Sequence, residues 1–250
     1  MNQNTRIRKY FIWLFWIAVW QTANMLIHNN IIFVGPLDMV KALLELVRDS
    51  SFWASIFSSF ARISLGFLGA FVLSILLGCL AYAFPLIREL LEPVMLLIKS
   101  VPVASFVILA LIWIGSHNLA VFTSFLVVVP MIYVNTLSGL EHTDRKLLEM
   151  ALVFRMPLWK QVRYIYIPSV LPYLISGCRT ALGMSWKSGV AAEVIGIPEG
   201  SIGEQLQQAK IYLNTPDLFA WTLVIVLVSL IFEKVFLALL KRGERALERM

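Results

Sequence analysis

Residues 149–168, with the sequence EMALVFRMPLWKQVRYIYIP, form a polar and basic interruption between two long apolar runs. Apolar residues recur at helical spacing where this interruption begins: Leu147, Leu148, Ala151 and Leu152. The pattern pauses at Arg155 and Met156 and restarts at Pro157, a residue suited to the first turn of a helix. The stretch therefore predicts a short helix–turn–helix at a membrane surface, which is a good docking element for a soluble partner.

The composition of the whole chain is typical of a membrane protein. Of its 250 residues, 59% are hydrophobic and 14% are charged, whereas a soluble domain is nearer to half apolar and a quarter charged. Several apolar runs reach the roughly 20 residues that a helix needs to cross a bilayer. A cleavable signal peptide is not expected, because the first apolar run is long and lacks a small-residue cleavage site. We predict a single all-α, polytopic membrane domain over residues 1–250.

Six membrane-spanning helices are predicted from the apolar runs. Their approximate bounds are residues 10–28, 53–84, 93–114, 119–140, 168–192 and 217–240, with a loop over residues 141–167. Residues 85–92 are expected to be a short link, and Pro102 is expected to kink the third helix. Residues 115–118 are expected to form a tight turn, and residues 193–216 a longer polar segment.

Shorter features accompany these six segments. An amphipathic helix around residues 39–47 is expected along the outer surface. Small residues recur every four positions in the second and fifth helices, which favours close helix packing. These two ridges are Gly66, Ala70, Ser74 and Gly78, and Gly177, Ala181, Ser185 and Gly189.

The distribution of Lys and Arg predicts the orientation of the chain, since cytoplasmic loops carry an excess of both. Thirteen fall on the side that holds both termini and the loop 141–167, whereas four fall on the other side: Lys41, Arg48, Lys187 and Lys210. Both termini and this loop are therefore expected in the cytosol. The net charge of +6 is interpreted as this topology signal, and no nucleic-acid partner is expected.

Residues 149–168 resemble the EAA loop of bacterial ABC-transporter permeases. That pattern reads Glu-Ala-Ala, three residues, Gly, nine residues, then Ile-x-Leu-Pro. The spacing is intact here, although Met150, Arg155 and Ile167 replace Ala, Gly and Leu. The resemblance implies coupling helices that sit in a groove of an ATP-hydrolysing subunit. The residues it assigns to this contact are Glu149, Met150, Ala151, Arg155, Met156, Pro157 and Pro168.

Further segments resemble permeases for nitrate, sulfonate, taurine and related compounds. They are Val101–Val103 with Leu111–Gly115, Leu171–Gly183, Ala191–Gly196 and Asn214–Ala220. The similarity covers most of residues 33–240. It implies the permease subunit of a type I ABC importer in the bacterial cytoplasmic membrane, paired with a second copy or a homologue. A cytosolic ATPase dimer and an extracytoplasmic substrate-binding protein are the other partners implied, with alternating access as the mechanism.

Catalytic motifs are absent from the sequence. Without a GxxxxGK[ST] phosphate loop the chain should not hydrolyse ATP, so ATP and Mg²⁺ are expected in the partner ATPase and no cofactor in this chain. The three histidines, His28, His117 and His142, lack metal-ligand spacing and read as solvated or interfacial residues. Cys79 and Cys178 fall in apolar runs and are expected to be reduced packing residues.

Charges within the apolar runs are costly in lipid and tend to face a bundle interior. Such residues are Arg62, Lys99, Arg179, Lys187 and Glu193, and together with Pro102 they are the candidates for a translocation path. Four cations against one anion favour an anionic substrate such as nitrate, a sulfonate, taurine or bicarbonate. The alternatives are that Arg62 and Lys99 snorkel to the interfaces and that Arg179 bonds loop carbonyls structurally.

Three other functions are alternatives to this one. An importer of an uncharged aromatic vitamin precursor, of thiamine or riboflavin type, would give a use to Trp113, Trp186, Tyr212 and Trp221, although an interfacial aromatic belt also explains them. A stand-alone secondary transporter would often show an internal repeat, and none is visible in the sequence. An intramembrane enzyme would need a nucleophile–base or metal set, which the sequence does not contain.

Overall fold

The computed structural model describes residues 3–27, 29 and 32–248, and in these ranges the chain is helical with short connections. The helices are α1 (Gln3–Ile27), α2 (Pro36–Leu46), α3 (Ser50–Ala83), α4 (Pro85–Ser100), α5 (Val103–Ile114), α6 (Ser116–Glu141), α7 (Arg145–Val153), α8 (Leu158–Gln161), α9 (Ile167–Gly196), α10 (Ile202–Ile211) and α11 (Thr215–Glu248). A π-helical turn, Val162–Tyr166, joins α8 to α9. His28 and Arg249, which the sequence places at a helix end and in the cytosolic tail, lie outside the described residues.

Helix α6 is the centre of the bundle, with α3 on one side and α9 on the other. Small residues allow these helices to approach closely. A Cβ atom built on Gly66 would lie 2.3 Å from the carbonyl oxygen of Val121, and one on Gly139 would lie 2.8 Å from Cα of Val170. All eight residues of the two predicted small-residue ridges are buried. The prediction that these ridges serve close helix packing is therefore confirmed.

Aromatic side chains attach α11 to this centre. Phe232 lies edge-on to Phe67 and Phe60, at centroid distances of 5.8 and 5.4 Å. Trp186 of α9, which is only 1% exposed, closes the same cluster from the other side. This apolar core makes α3, α6, α9 and α11 one packed unit.

Helix α2 confirms the short amphipathic helix that was predicted before the second apolar run. Its Met39 and Ala42 are buried against Ala220 of α11, while Leu44 on the opposite face is 60% exposed. Asp49 then caps the start of α3 by accepting a hydrogen bond from the backbone N–H of Ser51, which lowers the pKa of the Asp49 carboxyl.

Three described helices are long and apolar enough to cross a membrane: α3, α6 and the Thr215–Arg245 part of α11. The bent pair α4–α5 makes a fourth span if its two helices cross together. The apolar part of α1, Phe11–Ile27, is shorter, and the 30-residue α9 carries charged residues along its length. The chain is thus polytopic and all-α, whereas the six individual spans stay a prediction.

The predicted third helix was wrong in form. Residues 85–92 were predicted as a link and residues 93–114 as one kinked helix, but α4 already begins at Pro85 and ends at Ser100. Helix α5 then starts at Val103 and is inclined by 104° to α4. Pro85 starts α4 because its fixed φ suits a first helical turn. Pro102 lacks an N–H and disfavours helix for the residue before it, so it ends the helix at Val101 instead of bending it.

Other predicted boundaries also need correction. The first predicted span begins at residue 10, whereas α1 already begins at Gln3, and the tight turn predicted at residues 115–118 is reduced to Gly115, because α6 begins at Ser116. The polar segment 193–216 contains α10, whose start is capped by Ser201. The second helix of the loop 141–167 does not end before the fifth predicted span at residue 168, because a π-helical turn joins α8 directly to α9.

Candidate functional site

The predicted helix–turn–helix between α6 and α9 is present. Asp144 caps α7 by accepting a hydrogen bond from the backbone N–H of Lys146 at 2.9 Å. Helix α8 begins after Pro157, which is the N-cap residue and not, as predicted, part of the first turn. Gln161 steadies the turn between them, since its side-chain amide donates to the carbonyl of Met156 at 2.8 Å.

Arg155 occupies a left-handed conformation at the end of α7, with φ = 49°. The backbone N–H of Met156 donates to the carbonyl of Ala151 at 2.8 Å, and that of Arg155 donates to Leu152 at 3.0 Å. This pair of bonds is a Schellman motif, in which the residue at the Arg155 position is usually glycine. Arg155 therefore bears the backbone strain that its place in the EAA spacing indicates, and in the described residues its side chain forms no ion pair with Glu149.

Apolar side chains around this turn face outward and form a patch that we call the docking surface. Its members are Leu152, Val153, Phe154, Leu158 and Trp159, each between 59% and 79% exposed. Ala151, one position before them, is fully buried. Lys160 lies over the Trp159 ring at 5.6 Å, which adds positive charge to its rim. A contiguous exposed apolar patch of this kind is typical of a site that another protein covers.

The EAA residues divide between this surface and the helix behind it. Glu149 and Met150 are exposed on α7, as is Pro157 before α8, while Met156 is partly buried in the turn. Pro168 is exposed in the first turn of α9. A prospective partner would thus meet α7 and the turn directly, and would act on α9 through the continuous helix that follows.

Arg179 and Lys187 lie exposed on one face of α9. Ser176 and Thr180 are exposed on the same face, and a Cβ atom on Gly183 would meet open space. Arg179 lies near the middle of this 30-residue helix, where a cation facing lipid would be costly. This polar, small-residue face is suited to water or to another polypeptide.

Arg62 and Glu193 meet inside the bundle and are 8% and 0% exposed, respectively. Nη1 of Arg62 lies 3.8 Å from Oε1 of Glu193. The hydroxyl of Ser59 donates to Oε2 of Glu193 at 2.6 Å, and Nη2 of Arg62 lies 3.3 Å from Nδ1 of His117. Arg62 and Glu193 are thus buried together in the single chain, and their place in a translocation path stays a prediction.

Lys99 lines a second charged feature, a cleft between α4 and α6, whereas Pro102 lies beyond this cleft in the connection to α5. Both residues are exposed, and Lys99 is in the last turn of α4. The cleft has a volume of about 260 Å³ and includes the ion pair of Arg88 with Glu141. Its position beside the α4–α5 bend leaves Lys99 a candidate path residue.

Sequence reasoning missed several members of the Arg62–Glu193 cluster. Ser59 precedes Arg62 by less than one helical turn, so their shared face was a detectable signal. His117 was interpreted as solvated or interfacial; it is exposed but also touches the Arg62 guanidinium. The contact of Gly203 with Glu193 joins two helices and has no signature in the sequence. Among the described residues, no group of three His, Cys, Asp or Glu side chains could hold a metal ion.

Comparison with known families identifies the class of protein. Residues 70–249 match the family model described as "Binding-protein-dependent transport system inner membrane component". Since the match covers more than half of the chain, the chain belongs to this family of ABC-transporter permeases.

Individual relatives agree with this assignment. The chain is 27% identical to the "Putative aliphatic sulfonates transport permease protein SsuC" of Bacillus subtilis (strain 168), covering 90% of this chain and 82% of that one. It is 25% identical to the taurine transport system permease protein TauC of Escherichia coli (strain K12), covering 92% and 82%. A bicarbonate transport system permease protein CmpB of Synechocystis is 30% identical over 58% of this chain and 51% of the relative.

The fold has also been seen in a solved structure. A chain from the crystal structure of an amino acid ABC transporter with histidines superposes with a TM-score of 0.53 at 20% sequence identity, covering 85% of this chain and 99% of that one. At this identity the likeness concerns the fold alone.

Membership of the family fixes the general role of the chain. It is the multi-pass inner-membrane permease of a binding-protein-dependent ABC importer. ATP is hydrolysed in a separate subunit, the permease itself carries no cofactor, and an ATPase and a substrate-binding protein are its partners. The substrate, the second permease and the residues of the path are matters of proposal.

Proposed function

We propose that this permease carries a small organic or inorganic anion, of the sulfonate, taurine or bicarbonate kind, along the α9 face that holds Arg179 and Lys187. The single observation that supports this most strongly is that two exposed cations share a helix face with Ser176, Thr180 and Gly183. A cation near mid-membrane is costly unless water, a counter-charge or another chain faces it. A passing anion uses that charge directly.

The names of the relatives also support an anionic substrate. Those named above are called sulfonate, taurine and bicarbonate transport proteins; sulfonates and bicarbonate are anions, and taurine, a zwitterion, carries an anionic sulfonate group. An uncharged aromatic vitamin precursor would have no use for Arg179. The two substrate classes therefore differ in whether this guanidinium is needed.

A second copy of the permease, or a homologue, would complete the path. The exposed faces of α9, α4 and α5 have no partner within the described part of the chain, and Arg179 is exposed in the single subunit. Pairing two such faces would enclose a polar path between subunits, with Lys99 and Pro102 at the bend between α4 and α5. Closed pairs with two-fold symmetry are the commonest assemblies of this kind.

The docking surface would receive the ATPase on the cytosolic side, with Glu149, Met150, Arg155 and Met156 in or beside the contact. The charge bias of the loops supports this side, and it also puts both termini in the cytosol of a bacterial cell. ATP-driven closure of the two ATPases would then move α7 and, through the helix from Leu158 to Gly196, the face that carries Arg179.

Uptake by Arg179 variants tests the anion path. The permease is reconstituted into proteoliposomes with its ATPase and binding protein, and ATP-dependent uptake of labelled taurine, an alkanesulfonate, bicarbonate and the uncharged riboflavin is compared. Wild type should carry one of the three acidic solutes and exclude riboflavin. Arg179→Met should reduce that uptake at least tenfold with the ATPase still bound, and Arg179→Lys should retain part of it.

A matched control separates charge from packing. Thr180→Val changes the neighbouring exposed position without altering charge, and it should keep more than half of the uptake. Normal anion uptake by Arg179→Met, or transport of riboflavin by wild type, would contradict the proposal. Loss of ATPase binding in Arg179→Met would instead make Arg179 a structural residue.

A further inference from the structure

The N-terminus of α10 is completed by side chains from two other helices. The backbone N–H of Ile202 donates to Oγ of Ser59 at 2.9 Å, and that of Gly203 donates to Oε2 of Glu193 at 3.3 Å. Ser59 itself donates to the same carboxylate oxygen at 2.6 Å. The first N–H groups of a helix have no acceptor inside it. Two of those of α10 are therefore satisfied only while α10 stays seated on α3 and α9.

We call the contact of Ser59 and Glu193 with the N-terminus of α10 the joint. The packing around Glu193 in this joint is tight. Glu193 is fully buried, and a Cβ atom on Gly203 would lie only 2.3 Å from Cβ of Glu193. A negative charge is favourable at a helix N-terminus, and the Arg62 guanidinium faces the other carboxylate oxygen at 3.8 Å. Nη2 of Arg62 also donates to the carbonyl of Glu199 at 3.4 Å. The carboxylate thus joins the segment 199–203 to α3 and α9 together.

The connection from α9 to α10 is held in a costly conformation. Ile197 has φ = 48°, a left-handed value that is exceptional for a β-branched residue. Its N–H still donates to the carbonyl of Glu193 at 2.8 Å, so the turn starts directly from the residue that holds α10. Such strain persists only where the surroundings over-determine the backbone, and the Glu193 cluster supplies that constraint.

We propose that Glu193 is a positioning residue that makes α10 and α9 move as one body. A displacement of α10 on the extracytoplasmic side would then be transmitted to the docking surface on the cytosolic side. Helix α9 has 30 residues and is therefore about 45 Å long at 1.5 Å per residue. It continues without a break through the π-helical turn into α8, beside Arg155. The inference rests on the proposed function, because it is the substrate-loaded binding protein that would contact and displace α10.

Stimulation of ATP hydrolysis by the loaded binding protein tests this inference in the complete complex, reconstituted in lipid nanodiscs. Ser59→Ala removes one acceptor of the joint, and Glu193→Gln keeps its shape but removes its charge. Glu204→Gln is the matched control, because the Glu204 carboxylate accepts from the Gly200 N–H at 2.7 Å within the same loop and joins no other helix.

Stimulation should fall about fivefold in Ser59→Ala and Glu193→Gln, the factor expected for one lost helix cap, with basal hydrolysis unchanged. It should stay within about twofold of wild type in Glu204→Gln. Hydrogen exchange should accelerate about fivefold at the Ile202 amide in Ser59→Ala, because that amide loses its acceptor, and by a smaller factor at the Gly203 amide in Glu193→Gln, because a neutral amide oxygen accepts more weakly than a carboxylate.

Several results would overturn the inference. Wild-type stimulation in both joint variants would show that α10 and α9 need not move together. Failure of both to assemble, or an equal loss of basal and stimulated hydrolysis, would make the joint purely structural. If the loaded binding protein does not stimulate ATP hydrolysis in the wild-type complex, the proposed function fails. The joint would then have no conformational change to transmit.

Discussion

Replacing Arg155 by glycine should stabilise the permease while weakening its hold on the ATPase. Arg155 has φ = 49°, and a left-handed conformation costs an L-residue about 1–2 kcal/mol. Glycine removes that cost but adds about 0.4–1 kcal/mol of chain entropy to the unfolded state. The net gain in unfolding free energy is thus about 0–1.6 kcal/mol, and its midpoint of about 0.8 kcal/mol raises Tm by about 2–3 °C for a chain of this size.

Thermal unfolding of the purified permease in detergent measures this change. Leu213→Gly is the matched control, because Leu213 has φ = 54° and ends α10 with the same pair of bonds, Leu213 N–H to Lys210 and Asn214 N–H to Ala209. Both variants should gain stability. Only Arg155→Gly should weaken binding of the ATPase, by about two- to fivefold and less at high salt, because a charge at the rim of an interface acts mainly through screened attraction.

Two results would refute the reasoning about Arg155, one in thermal unfolding and one in ATPase binding. If Arg155→Gly lowers Tm while Leu213→Gly raises it, the Arg155 side chain stabilises its own chain more than its backbone strains it. Unchanged ATPase binding in Arg155→Gly at low salt would likewise show that the guanidinium does not face the ATPase.

Two further predictions concern packing and orientation. Gly66→Ala should cost about 1–3 kcal/mol or more of stability, because its Cβ would lie 2.3 Å from the backbone oxygen of Val121, whereas Gly69→Ala on the same helix meets only Phe125 at 3.6 Å and should stay near wild type in thermal unfolding. Equal behaviour of the two variants would disprove close packing of α3 on α6. Reporter fusions after Leu147 and after Leu240 should report the cytosol, and one inserted at Gly200 should report the outside. A cytosolic signal at Gly200 would remove one of the last two predicted spans.

The sequence predicted the parts of the fold that rest on local pattern. The helix–turn–helix, its turn at Arg155 and Met156, and the two small-residue ridges follow from spacing alone, and the structure contains them. The position of the break at Pro102 was predicted, but its form was not. A proline determines where a helix is disturbed, whereas the packing of neighbouring helices determines whether the helix bends or ends there. Helix α10 was missed because the segment was interpreted as polar, although Ser201 and Glu204 have capping-box spacing and Ile202, Leu206 and Ala209 recur at helical spacing.

The candidate path residues were harder to sort from sequence. Arg62, Arg179 and Glu193 look alike as charges within apolar runs, yet Arg62 and Glu193 are buried together and Arg179 is exposed. Pairing between residues so distant in the chain depends on how α3 and α9 cross, which no local pattern contains. The strain at Ile197 was invisible for the same reason, because it arises from where α10 must be seated.

Photo-crosslinking from the docking surface tests the central claim most directly, namely that the turn after α7 is the contact with the ATPase. A photoreactive amino acid is placed at Phe154, which is 75% exposed, in the assembled complex. Matched probes are placed at Ala151, which is fully buried beside it, and at Tyr212, which is 79% exposed after α10. The account predicts an ATPase crosslink from Phe154 alone. A crosslink to the ATPase from Tyr212, or none from Phe154 in a complex that hydrolyses ATP, would contradict it.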